Sequence, residues 1–346
     1  MPRKSKIKQL SILQQGLIEN HDGVGYGHAH TRIANALGDA GAKMMMLHEF
    51  GWDCMLAVMP PRSSLIGPYK FRKDICLHTM FEARPIPAPW VDIMNRCNVI
   101  WAPTEFVREI FTEAGVTRPI FVQGYAVDSD IYPLVPRIEH EGPYKVLAWG
   151  DNLASRKNIL GTIRAFHRAA LPNSILEIKL NDPVMAEMVK FTGRVTFDGV
   201  AAENIKFISE YWPRKRIVEW LCEGDLGVYF SGGEGYGLQP LEMMATGMPI
   251  ICAYNTGMKD YLSEEHALLV QCPTMVKSAS MSKAYDMDIE VPEPDWDEAI
   301  DKMRWAYHNR AAANAMGVRG AEFTRSWTWD DVGVKALAHL MEHFGR

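Results

Sequence analysis

Two acidic residues separated by seven others, Glu234 and Glu242, frame the segment EGYGLQPLE, which follows an apolar run and two further glycines. Glycines at such a junction let the backbone approach a ligand closely. A helix starting near Pro240 would point unsatisfied N–H groups and the positive end of its dipole at the same space, which suits a diphosphate. An ionised Glu242 in the first helical turn is favoured by that dipole and can accept hydrogen bonds from vicinal sugar hydroxyls. The same acids also fit a plainer role, Glu242 as a helix-start acid and Glu234 as a solvated loop residue. In VLAWGDNLASRKNIL, Arg156 and Lys157 stand after an apolar strand and Gly150, at the start of a helix. A guanidinium clamps oxygens at two points and an ammonium adds a compact charge, so the pair suits a diphosphate leaving group, with an exposed basic pair as the competing reading.

The N-terminal half offers GVGYGHAH. Gly23, Gly25 and Gly27 do not form GxGxxG, because His28 stands where the last glycine belongs, and this sets aside a dinucleotide oxidoreductase. His28 and His30 are too close for an i, i+4 metal pair. His78 follows a short apolar run and Glu82 lies nearby; a satisfied structural histidine competes with a functional one. The acid pairs Asp128/Asp130 and Asp286/Asp288 have the spacing of a divalent-ion site. The first falls on the approach to a linker and the second far from the cations, so no metal site is expected.

The elements that must position these residues alternate. In the first half, 7–13, 44–47, 75–77, 99–102 and 120–123 read as strands, with helices at 28–38, 90–97 and 105–114. A proline- and charge-rich stretch, 130–144, has no period and reads as a linker. The pattern then restarts with strands 145–149, 175–180 and 226–230, helices 158–169, 214–222 and 240–246, and a further strand beyond Gly247. The polar stretch 273–297 is expected to be a long irregular excursion before helices at 297–309 and 330–344. This alternation implies two parallel, doubly wound α/β domains.

At 346 residues the chain exceeds what one hydrophobic core usually organises. No long uncharged apolar run suits a membrane span, and six scattered cysteines without a CxxC pair argue against a disulfide framework or cysteine zinc site. Reduced thiols in a cytoplasmic setting are the expectation. A net charge of -5 gives no global attraction to nucleic acid or anionic lipid, and the basic clusters PRKSKIK and WPRKR read as solvated surface.

EGYGLQPLE resembles the Glu-x7-Glu signature of retaining GT-B glycosyltransferases, the large group 1 or family 4-like family. The segment with Gly150, Arg156 and Lys157 is similar to the family's Gly-(x)n-Arg-Lys-Asn element, and 76–133 resembles the second half of its N-terminal domain. The resemblance is strongest over 146–262 and extends to the last helix. It implies two Rossmann-like domains facing across a cleft: 1–138 mainly for the acceptor, 139–322 for the sugar-nucleotide donor, and 323–346 a helix returning to the N-terminal domain. By the same resemblance Glu242 holds the nucleotide's ribose and Glu234 contacts the donor sugar. The loop of Gly235, Tyr236, Gly237 and Leu238 lies beside the phosphates, Arg156 and Lys157 neutralise the departing diphosphate, and His78 stands against the donor sugar. Gly25 belongs to a first glycine loop beside the donor phosphates, while Glu82 and His28 are acceptor-side candidates, Glu82 as base or as structural partner.

The expected reaction is transfer of a sugar from a nucleoside-diphosphate sugar to an acceptor hydroxyl, with retention of configuration, no metal and no cofactor. The acceptor stays open among a glycan, a small molecule and a modified DNA base; in the last case the basic N-terminus and Trp212 to Arg216 would meet phosphates. A sugar-nucleotide epimerase, a phosphorylase and a non-catalytic sugar-nucleotide sensor are the alternatives from other classes.

Overall fold

The computed structural model describes residues 9–16, 25–45, 53–61, 74–138, 140–150, 156–180, 196–197, 200–201 and 204–345. Two compact units emerge, one of 1–81, 86–126 and 327–346, the other of 82–85 and 127–326.

In the first unit the described strands are β1 (Ser11–Gly16), β2 (Lys43–Met45), β3 (Cys54–Val58), β4 (Ile75–His78), β5 (Val99–Ala102) and β6 (Ile120–Val122). They form one parallel sheet in the order β2-β1-β3-β4-β5-β6. Every residue of β3, β4 and β5 is buried, as expected of parallel strands covered on both faces. Strand β3 has no counterpart among the strands expected from sequence. Its CMLAV run is apolar throughout, so it lacks the alternation that marks a half-exposed strand. The first helix spans Gly25–Asp39, which puts Gly25 to Gly27 in the helix rather than in a loop before it.

The last helix, Trp329–Phe344, belongs to this unit. A capping box between Thr328 and Asp331 starts it. Gly333 then lets it press against the first helix: a Cβ there would come 2.2 Å from the Ala36 carbonyl oxygen. The expected return of the C-terminal helix to the N-terminal domain is thus what the fold contains.

The second unit holds β7 (Tyr144–Trp149), β8 (Ser174–Lys179), a two-residue antiparallel pair β9 (Thr196–Phe197) and β10 (Val200–Ala201), then β11 (Ile205–Ile208), β12 (Leu226–Tyr229), β13 (Ile250–Ala253) and β14 (Leu268–Val270). The parallel sheet runs β11-β8-β7-β12-β13-β14, so the strand order reverses between β7 and β12. Successive side chains face opposite ways: Val146, Ala148, Val228 and Ile251 enter one apolar cluster, Leu147, Tyr229, Ile250 and Cys252 the other. Both faces of the sheet are therefore core.

The structure corrects the expectation for 273–297. That stretch forms β15 (Thr274–Lys277), a helix Ala279–Tyr285 and β16 (Glu290–Glu293), with β15 and β16 antiparallel. Every residue of β15 is exposed, which explains why no hydrophobic period is visible there. Helix Arg310–Arg325 also has no counterpart in the sequence reading. Among the described residues, the stretch 130–144 carries no helix or strand before β7, but it is bound firmly to the second unit. Arg137 donates to the carbonyls of Gly224 (2.8 Å), Val135 (2.6 Å), Thr246 (2.9 Å) and Leu221 (2.9 Å) and to the Thr246 hydroxyl (2.9 Å). Among the described residues, no helix is long and apolar enough to cross a membrane.

Candidate functional site

The loops after β7 and β12 leave the carboxyl ends of adjacent strands at the point where the strand order reverses, the position where open α/β sheets bind ligands. The two loops are stitched together. The Gly232 amide donates to the Arg156 carbonyl at 2.7 Å, and the side-chain amide of Asn158, itself left-handed at φ 53°, donates to the Phe230 carbonyl at 3.0 Å. Gly150 leaves no room for a side chain, because a Cβ there would meet Ile159 at 2.8 Å. Residues 151–155 lie outside the described residues.

Gly237, at φ 90°, turns the chain into helix Leu238–Ala245, which therefore begins two residues before Pro240. Glu242 consequently stands in the second turn rather than the first. A Cβ on Gly237 would lie 2.8 Å from the Tyr261 hydroxyl, which donates to the Gly237 carbonyl at 2.7 Å. The Glu234 backbone is held by the Thr256 hydroxyl (2.9 Å) and the Gly257 amide (3.0 Å).

Glu234 is the centre of a dense polar cluster. Its Oε1 accepts from Lys157 Nζ at 2.5 Å, Arg156 Nη1 at 2.8 Å and the Tyr229 hydroxyl at 2.8 Å. Arg156 also donates to the Gly233 carbonyl at 2.6 Å and, through Nη2, to Glu82 Oε1 at 3.0 Å. Burial alone would raise the Glu234 pKa, but Arg156 and Lys157 outweigh it and bring the value down to about 2. The group is a carboxylate at any physiological pH. Tyr285, from the helix of the corrected 273–297 segment, feels both Glu82 and Arg156.

Glu242 has different neighbours. Its carboxylate receives the Arg214 guanidinium, which also donates to the Tyr132 hydroxyl at 2.5 Å, and Tyr132 bonds to it as well. Burial pushes the Glu242 pKa up, with Arg214 and Tyr132 opposing it. Arg214 belongs to the WPRKR cluster, and its partners correct the reading of that cluster as solvated surface. Arg216 of the same cluster lies over the Trp212 ring and pairs with Glu219 and Glu223.

Of the remaining sequence candidates, Glu82 joins Arg156 in the second unit, and Gly235, Tyr236 and Leu238 lie in the loop and helix start just described. The Tyr236 ring packs 5.6 Å from that of Tyr261. His78 is the last residue of β4 in the first unit, fully buried between Trp101 and Tyr125. Neither ring nitrogen has a hydrogen-bond partner in bonding geometry, and burial lowers its pKa to about 3 against a smaller opposing pull from the Gln123 backbone. It is a neutral imidazole. Gly25 opens the first helix, and the His28 side chain and residues 17–24 lie outside the described residues.

Tyr229, Gln239, Tyr132 and Tyr285 complete the polar network without having been picked out from sequence, and Arg214 joins it although its segment reads from sequence as surface or as a contact to DNA phosphates. Tyr229 is hidden in an apolar strand, and its hydroxyl reaches Gln239 at 2.9 Å as well as Glu234. Among the described residues no group of three acidic, histidine or cysteine side chains could hold a metal ion. Asp288 is paired with Lys277, and the main-chain carbonyl of Asp128 accepts the amides of Ile131 and Tyr132 in a turn.

Residues 200–335 match the model of a family described as family 4 glycosyltransferases in conflict systems. Among curated proteins, none matches the chain in sequence. Solved structures match along almost the whole chain. HepE from Anabaena, in complex with UDP and glucose, is 11% identical with a TM-score of 0.70 and covers 96% of this chain and 100% of its own. Sucrose-phosphate synthase from Thermosynechococcus elongatus is 12% identical with a TM-score of 0.70, covering 98% and 100%. WaaG, a glycosyltransferase involved in lipopolysaccharide biosynthesis, is 12% identical with a TM-score of 0.63, covering 97% and 100%. The chain has the GT-B fold, and the stretch matched by the family model includes the Glu234–Glu242 segment.

Proposed function

We propose that this chain is a glycosyltransferase that moves a sugar from a nucleoside-diphosphate sugar to an acceptor hydroxyl, with retention of configuration and without a metal ion. The observation that carries the proposal is the cluster of Arg156, Lys157 and Glu234 at the strand-order reversal of the second unit. As the bond from the sugar to the diphosphate breaks, negative charge grows on the leaving phosphate. Arg156, Lys157 and the N-terminus of helix Leu238–Ala245 are fixed positive groups that stabilise that charge without reorganising. Glu242 holds the ribose, and Glu234, ionised throughout, accepts hydrogen bonds from the donor sugar.

The first unit takes mainly the acceptor, and His78, neutral and packed between Trp101 and Tyr125, serves that unit's core rather than the transferred sugar. Glu82 is read as a structural partner of Arg156 rather than as a base, because its carboxylate is already engaged by the guanidinium. The description of the matched family supports a setting in a conflict system. Residues 1–8, which hold the basic PRKSKIK run, are outside the described part of the chain.

The test is a screen of common sugar nucleotides for donor hydrolysis, starting with UDP-glucose because HepE was solved with UDP and glucose. Glycans, small alcohols and DNA carrying hydroxymethylated bases would then be offered with the best donor. The product anomer would be assigned by NMR. Turnover abolished by chelator would overturn the metal-free account. Isomerisation of donor alone would mark an epimerase, and tight binding without turnover a sensor.

A further inference from the structure

The ion pair at Glu242 lies apart from the cations expected to meet the diphosphate. Glu242 and Tyr132 are 4% and 2% exposed. Arg214 opens helix Arg214–Glu223 directly after Pro213, so its side chain leaves a defined helix start. Tyr132 is fixed through its main chain: its amide donates to the Asp128 carbonyl at 3.2 Å, and its carbonyl accepts from Arg325 Nη2 at 3.1 Å. Two residues from two other segments therefore converge on the Glu242 carboxylate.

A carboxylate that serves vicinal hydroxyls must be an anion with its lone pairs aimed, since a protonated acid loses acceptor capacity. Burial works against the anion, and Arg214 and Tyr132 offset part of that cost. Helix Arg310–Arg325, packed on the helix of Glu242, contributes Arg325, whose guanidinium is spent on the carbonyls of Ala245, Ala321 and Tyr132. Strand β12 contributes Tyr229, which is bonded to Glu234 and Gln239, and β13 contributes Cys252, a buried thiol raised far above its ordinary range. The cation whose charge acts on Glu242 is Arg214.

We infer that Arg214 and Tyr132 are positioning residues of the nucleotide subsite, holding the Glu242 carboxylate as an oriented, charged acceptor for the ribose hydroxyls. The inference rests on Glu242 meeting the nucleotide. Without Arg214, burial is less compensated and Glu242 takes up a proton at higher pH, so nucleotide affinity becomes more pH-dependent than in the wild type.

The experiment is calorimetric titration of the full chain with UDP, GDP and ADP from pH 6 to 9, with folding checked by circular dichroism. Arg214→Met is expected to bind the best nucleotide about tenfold more weakly at pH 7 and to recover part of that loss by pH 9. Arg214→Lys, which keeps the charge, should restore the wild-type profile at reduced affinity. Tyr132→Phe should move the profile in the same direction as Arg214→Met, by less. Adding Glu242→Gln to Arg214→Met should abolish the pH dependence. A loss that is the same at every pH, or none, overturns the inference while leaving the nucleotide reading intact. Should Arg214→Met not fold, wild-type profiles in both Arg214→Lys and Tyr132→Phe overturn it equally. A wild-type chain that binds none of the three nucleotides sinks the nucleotide reading and this inference together.

Discussion

Glu234 and Glu242 share one short segment, are equally buried, and each bonds to an arginine and a tyrosine, yet their acidities move in opposite directions. Glu234 faces two cations, and their combined attraction overcomes burial. Glu242 faces one, and burial prevails. The contrast shows that one extra cation decides whether a buried carboxylate is locked as an anion or left responsive to its surroundings. Lys157 supplies that extra charge, buried itself at 4% side-chain exposure.

Removing it is the harshest way to break the comparison. Lys157→Met should lower turnover at saturating donor by about 10²–10³-fold, as loss of one preorganised group on a developing charge typically does. It should also destabilise the fold by about 3–5 kcal/mol, because Glu234 loses a buried partner. Steady-state kinetics and urea denaturation give the two numbers, and unchanged turnover would remove Lys157 from the mechanism.

Acid titration sharpens the contrast next. The folded value of Glu234, about 2, lies below the unfolded carboxylate value of about 4.3. Its ionised form therefore contributes stability that is full above the unfolded value and is lost as pH falls towards about 2. Glu242, raised on folding, has the opposite sign: in the window above about 4.3 the folded form takes up its proton first, so acidification adds stability there. Glu234→Gln should flatten the fall of the urea midpoint between pH 5 and pH 3, and Glu242→Gln should steepen the loss on acidification over its own window. The same slope in both variants would contradict the opposed shifts.

At the level of binding, Glu242→Gln should weaken a free nucleoside diphosphate and the intact donor together, by about one to two powers of ten. Glu234→Gln should leave the sugar-free nucleotide nearly unchanged while reducing turnover and sugar discrimination. Dissociation constants for both ligands with both variants test this, and equal weakening of the sugar-free nucleotide would undo the division of roles. The smallest effect is expected at Glu82, whose pair with Arg156 is partly solvated. Glu82→Gln frees Arg156 for the diphosphate and should tighten donor binding by no more than about threefold, within the range of a partly exposed ion pair. A collapse of turnover with unchanged donor affinity would instead mark Glu82 as the acceptor's base.

The sequence shows the Glu234–Glu242 segment and the Arg156–Lys157 pair because their chemistry is local: glycines, cations and a helix start within a few residues. It does not show Arg214, since adjacent basic residues look alike until a fold decides that Arg214 turns inward while Arg216 stays outside. Tyr132 is hidden for a related reason, lying in a proline-rich stretch whose packing on the second unit depends on contacts such as those of Arg137 with residues 221–246. The two-domain α/β architecture is legible from alternation, while β3, as fully buried as β4 and β5, has no counterpart among the strands read from sequence. The hairpin-like arrangement of β15 and β16 is not legible either, with β15 too polar and exposed to register as a strand.

The Lys157–Glu234 pair joins residues 77 positions apart. No fragment containing only one of the two loops can form this pair, which requires that β7 and β12 have found each other across the intervening helices and strands. Such non-local closure comes late in folding. A ligand bound there opposes every partial opening that parts β7 from β12, so sugar nucleotide should protect the second unit as a whole from proteolysis rather than only the loops it touches.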